Sequence, residues 1–190
     1  MIRIAIIGSI GSGKTFISKL FGYPVFNADK VVASIYSKNK KIYNELKKKI
    51  PEYFFKFPIK KKELINVILE KKTNLRKITS IVHPHVKQKL RKFLIINKKK
   101  KIVILDIPLF LENKLNKKND IIIFIQSNKE KTLNKIKKRK NFNMSIFKKF
   151  QSLQFKQAYK RKKSDYIIYN NFNKIIAQKR VKDILRQIKK

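Results

Sequence analysis

Gly8-Ser9-Ile10-Gly11-Ser12-Gly13-Lys14-Thr15 satisfies the spacing G-x-x-x-x-G-K-[ST] and gathers three of the chain's four glycines into six residues. Glycine lets the backbone take positive φ and bring its N–H groups up to phosphate oxygens with no Cβ in between. Such a loop is an anion nest, and a helix starting near Gly13 aims the positive end of its dipole at the same spot. Lys14 can reach the β- and γ-phosphates as a point charge, and the Thr15 hydroxyl can ligate Mg²⁺. The context fits: Ile2-Arg3-Ile4-Ala5-Ile6-Ile7 before the octet reads as a buried strand, and Thr15-Phe16-Ile17-Ser18-Lys19-Leu20-Phe21 after it carries apolar residues at helical spacing. The segment is expected to bind a nucleotide.

Further strand-like runs are Pro24-Val25-Phe26, Ile102-Val103-Ile104-Leu105, Ile121-Ile122-Ile123-Phe124-Ile125 and Tyr166-Ile167-Ile168-Tyr169, with helical stretches between them. Alternation of this kind implies an α/β fold whose parallel sheet is covered on both faces. Between the second and third runs the gap is long. Segments 40–49, 61–70 and 84–96 within it read as helices, punctuated by Pro51, Pro58 and Pro84. That gap reads as a helical insertion able to close over a substrate. Segment 139–163 reads as helical and strongly basic, and 174–190 as a closing helix.

At 190 residues the chain suffices for one well-buried domain with a small inserted subdomain. Fifty Lys+Arg against 11 Asp+Glu give a formal net charge of +39, which taken alone points to nucleic acid or an anionic surface. Two observations weaken that reading. Of the 50 basic residues 43 are lysine, and Ile, Asn, Phe and Tyr are abundant while Gly, Pro, Trp and Cys are scarce, the set that an AT-rich genome favours. The lysines are also dispersed, with little arginine and little aromatic interleaving, so most read as solvated faces. No cysteine is present, which leaves no disulfide or thiolate metal site and suits a cytosolic enzyme. No apolar run approaches the ~20 residues that span a bilayer, and the amino terminus runs directly into a strand. A soluble, cytoplasmic protein without a membrane partner is expected.

In a chain with so few acids their placement is informative. Asp29 follows the second strand, Asp106 ends the third and Glu112 lies six residues on; in open α/β sheets ligands bind at strand carboxyl ends. Asp106 resembles a Walker B acid holding Mg²⁺, with a helix cap or loop acid as the alternative. Asp29 is a candidate proton acceptor for an attacking hydroxyl, with a cap for a helix from Lys30 as the alternative.

Five segments together narrow the reading: Gly8 to Thr15; Phe26-Asn27-Ala28-Asp29; Ile81-Val82-His83-Pro84-His85-Val86; Leu105-Asp106-Ile107-Pro108-Leu109-Phe110-Leu111-Glu112-Asn113-Lys114-Leu115; and Ser164-Asp165-Tyr166-Ile167-Ile168-Tyr169-Asn170-Asn171. In order and spacing they resemble the dephospho-CoA kinases over nearly the whole chain. The resemblance implies a P-loop kinase fold with a five-stranded parallel sheet, a core over about 1–29, 100–138 and 164–190, a helical CoA-binding region over about 30–99 and a lid over about 139–163. It implies phosphorylation of the ribose 3′-hydroxyl of dephospho-CoA by ATP with Mg²⁺, the last step of coenzyme A synthesis. By the same resemblance Asp29 is the general base facing that hydroxyl, and His83, Glu112, Asn113 and Leu115 lie by the substrate. Arg139 is a lid arginine on the ATP phosphates, and Asn170 lies near the adenine.

Alternatives remain at His83, as a buried cap of a helix begun by Pro84, and at Arg139, as one basic residue among many. The chain departs from the family's usual pattern in having Ser9 for a glycine, Gln157 for an arginine with Lys160 as the nearby cation, Tyr169 for an aspartate, and Lys61 and Lys62 for arginines. A nucleoside or nucleotide kinase on the same scaffold, and a basic P-loop protein that binds nucleic acid, are the rival readings. No specific nucleic-acid partner is expected, and a monomer or weak oligomer is.

Overall fold

In chain order the secondary structure is β1 (Ile2–Gly8), α1 (Lys14–Leu20), β2 (Val25–Asn27), α2 (Ala28–Lys38), α3 (Lys40–Lys49), α4 (Lys61–Glu70), α5 (Lys72–Ile96), β3 (Ile102–Asp106), β4 (Asp120–Gln126), α6 (Lys129–Lys137), α7 (Met144–Ser152), α8 (Gln157–Lys162), β5 (Tyr166–Tyr169) and α9 (Lys174–Ile188). This is a computed structural model, and it describes residues 1–140 and 142–189, with Lys72 described by its backbone alone. The chain divides into two units, Met1–Asn27 with Asn97–Lys190, and Ala28–Ile96.

The first unit is the sheet. Its order is β2-β3-β1-β4-β5, and every pairing is parallel. The near-continuous Ile, Val and Leu runs explain why: strands in a parallel sheet are buried on both faces and need no polar alternation. Ile4, Ile6, Ile102, Ile104, Ile123, Ile125 and Ile168 form one layer with Ile17 of α1, Phe21 just past its end, and Ala177, Val181 and Ile184 of α9. On the other face α8 packs against β1. Two aspartates tie the sheet ends. Asp120 pairs with Arg3 at 2.9 Å and accepts from Lys117 N–H, while Asp165 accepts from Ile122 N–H at 2.7 Å.

All five expected strands are present within a residue of their apolar runs, so the parallel α/β architecture holds. The basic stretch 139–163 is not one helix. It comprises α7 and α8 with a break between them, because the Phe155 N–H bonds to the Glu112 carboxylate at 2.9 Å and not to a helical carbonyl.

The second unit is all helix. α5 packs against α2, α3 and α4, and the layer between is built from Ile35, Ile42, Leu46, Phe54, Leu64, Val67, Ile78 and Val82. Asn39 caps α3 by accepting from Ile42 N–H at 3.1 Å, and the buried Asn74 donates to the Val67 carbonyl at 2.9 Å. Pro84 does not begin a helix here; it lies inside the 25-residue α5. A proline there removes one helical N–H and costs roughly 3 kcal/mol. Ile78 and Val82 keep the buried stripe in line up to it, and their burial offsets that loss. His83 is accordingly mid-helix and caps nothing.

Candidate active site

β1 delivers the chain into the glycine loop at the centre of the sheet, and α1 leaves it at Lys14. Gly11 and Gly13 take φ of +80° and +92°, a region where any side chain is strained. Space adds a second demand. A Cβ on Gly11 would strike the side chain of Ile136, and one on Gly13 would collide with the Asn170 amide nitrogen. Within the loop Ser12 N–H closes a turn on the Ser9 carbonyl at 3.2 Å. The Lys14 ammonium folds over its own loop, donating to the carbonyls of Ser9 at 2.9 Å and Gly8 at 3.2 Å. Ile10 is half-buried, and Ser12 turns its side chain inward, fully buried.

Thr15 is exposed at the first turn of α1 and donates its hydroxyl to Asp106 Oδ2 at 2.6 Å, across 91 residues of sequence. Asp106 is the last residue of β3, its side chain sunk to 3 % exposure. Parallel pairing sets Asn27 of β2 opposite it, and Asn27 Nδ2 donates to the same oxygen at 2.5 Å. Asp106 is therefore neither a helix cap nor a loop acid. Asn27 is a member of the site that residue-level reading missed; the signal was available, since two polar residues end adjacent strands. A carboxylate and a hydroxyl in contact are hard oxygen donors of the kind Mg²⁺ takes. Among the described residues no three His, Cys, Asp or Glu gather into a metal cage.

The loop after β3 carries the next group. Leu109 and Lys114 both sit in the left-handed region, at φ +55° and +51°, uncommon for side-chain-bearing residues and costing about 1–2 kcal/mol each. Bonds from Asn113, Lys114 and Leu115 N–H to the carbonyls of Leu109, Leu111 and Phe110 hold the bend. Glu112 is mostly buried. Its Oε1 accepts from Phe155 N–H and lies 2.8 Å from Lys160 Nζ, itself only 3 % exposed on α8. Asn113 is exposed and Leu115 half-buried.

Arg139 is exposed in the turn after α6. Asn170, expected beside an adenine, is 3 % exposed; its Nδ2 donates to the Ser12 carbonyl at 2.8 Å and its Oδ1 accepts from Phe172 N–H at 2.9 Å. In the helical unit, Asp29 is exposed in the first turn of α2, the helix beginning at Ala28 and not at Lys30. His83 also has an exposed edge, yet the surrounding chain withdraws solvation and Lys87 one turn on repels its proton, which together lower its pKa from the ordinary 6.5.

The family model described as "CoaE: Dephospho-CoA kinase" matches residues 2–175. A dephospho-CoA kinase of Zymomonas mobilis is 30 % identical over 187 residues, covering 97 % of this chain and 95 % of that protein. One of Fusobacterium nucleatum is 33 % identical, covering 90 % of each. Among solved structures, a protein of Thermus thermophilus superposes with a TM-score of 0.78 at 24 % identity, covering 98 % of this chain and 97 % of that one.

Proposed function

The chain belongs to the dephospho-CoA kinase family, and from that premise we propose that it transfers the γ-phosphoryl group of ATP to the ribose 3′-hydroxyl of dephospho-CoA. The observation that carries the proposal is the meeting of Thr15 and Asp106, at 2.6 Å, where the glycine loop passes into α1. That is the placement a metal-nucleotide site needs.

Phosphoryl transfer asks a protein mainly for positioning and for charge opposite the moving group. The loop amides and Lys14 take the phosphates. Thr15 and Asp106, with Asn27 fixing the carboxylate, would hold Mg²⁺, which when bound neutralises charge on the phosphate oxygens. Arg139 supplies a further cation to the transferred group. Asp29, two residues beyond Asn27 along the chain, accepts the proton of the 3′-hydroxyl as its oxygen bonds to phosphorus and ADP departs. The helical region 30–99, with His83, takes dephospho-CoA, together with Glu112, Asn113 and Leu115. Segment 139–163 acts as the lid. The cysteine-free composition supports a cytoplasmic enzyme, and the reading needs no nucleic acid and no second copy of the chain.

A coupled ADP-release assay with dephospho-CoA as acceptor, beside a panel of nucleosides, tests the proposal. ADP is expected with dephospho-CoA alone; release with a nucleoside and none with dephospho-CoA would make the chain a nucleoside kinase. Lys14→Ala abolishes turnover. Asp29→Asn keeps ATP affinity and loses about 10²- to 10⁴-fold in kcat, the range for a general base; near-full activity would remove Asp29 from that role.

A further inference from the structure

Asn170 stands 158 residues from the glycine loop in sequence and touches its underside. Its position is fixed from three directions. The backbone N–H extends the β4–β5 ladder to the Gln126 carbonyl at 2.8 Å, Oδ1 accepts from Phe172 N–H, and Nδ2 donates to the Ser12 carbonyl at 2.8 Å. Phe172 is itself held, at φ +66° and with the Lys135 ammonium 4.6 Å from its ring centre. Ser12 is fully buried and its hydroxyl has no hydrogen-bond partner among the described residues, while the Asn170 amide anchors its carbonyl. The same amide occupies the space that a Cβ at position 13 would need.

The geometry points to Asn170 as a positioning residue that shapes the phosphate cradle from below and does not read the base. The inference rests on the reading of the loop as a triphosphate site. A polar side chain nine-tenths buried, with both ends of its amide engaged inside the protein, is set to hold backbone in place. Here the backbone it holds is the carbonyl between the two loop glycines, whose orientation fixes the neighbouring peptide N–H groups.

Asn170→Ala is expected to weaken binding of inorganic tripolyphosphate, ATP and GTP by one common factor, about ten-fold or more for the loss of a buried hydrogen bond, with the ATP:GTP ratio unchanged. Loss confined to ATP, or no loss for tripolyphosphate, overturns the inference. Should that variant fold poorly, the unsubstituted protein decides: the Asn170 side-chain amide resonance is expected to shift on adding tripolyphosphate and stay put with adenosine, and the reverse overturns the assignment. Tripolyphosphate binding is read without any acceptor, so failure here is separable from failure of the protein to phosphorylate dephospho-CoA.

Discussion

Asp106 illustrates how one side chain can organise a site before any ligand arrives. It receives hydrogen bonds from Thr15 and Asn27 on a single oxygen while buried at the end of a strand, and bonds to a charged acceptor are worth about 1.5–3 kcal/mol. Asp106→Ala should lower stability by an amount of that order in chemical denaturation and, in the assay, abolish the response of rate to added Mg²⁺. His83 gives a residue-scale pH prediction. Its folded pKa lies below the unfolded 6.5, so the neutral ring's contribution to stability is complete above that value and is lost as the solution is acidified below it. Thermal unfolding followed from pH 8 to 5 should show a decline that His83→Gln shallows; identical profiles would deny the coupling. The octet and the aspartate that ends β3 were readable from sequence because they are marked by local spacing. The buried amide of Asn170 was not, since its role comes from a contact 158 residues apart, and Asn27 was legible only as a polar strand end whose partner the register supplies.

Among the helices, α7 buries none of its side chains, and neighbouring Leu153, Phe155 and Tyr159 are 41–45 % exposed. α8 differs because Lys160 reaches Glu112 in a shielded pair that also receives the Phe155 N–H. Breaking such a pair from one side typically costs about 3–5 kcal/mol, whereas an apolar replacement of both partners can be neutral. Lys160→Met should therefore destabilise strongly and Lys160→Met with Glu112→Leu far less, a difference that a double-mutant cycle on unfolding free energies would measure. Hydrogen exchange should be faster in α7, whose residues are at best half-buried, than in α8 or the strands; equal protection would contradict that difference in burial. Helix existence was predictable here from composition, but the break at 153–156 was not, because a carboxylate 43 residues earlier captures the N–H. Pro84 misled for a related reason: punctuation is a local signal, and the buried stripe of α5 outweighs it.

At the scale of the molecule, a chain of net charge +39 carries a site proposed for two polyanions. Fields of this size raise encounter rates and are screened over a length of ~10 Å at 0.1 M salt. KM for both substrates should rise with ionic strength while kcat changes little; a kcat that fell in parallel would place the charge's role in the chemistry. The sheet order has another consequence. β1 lies at the centre, and its register partners begin with Ile102 on one side and Asp120 on the other. At ~5–20 residues per second of synthesis, the wait between making β1 and its neighbours is roughly 5–20 s. Throughout that interval an Ile-rich strand has neither edge satisfied, so the first strand made is also the one that waits longest for a neighbour.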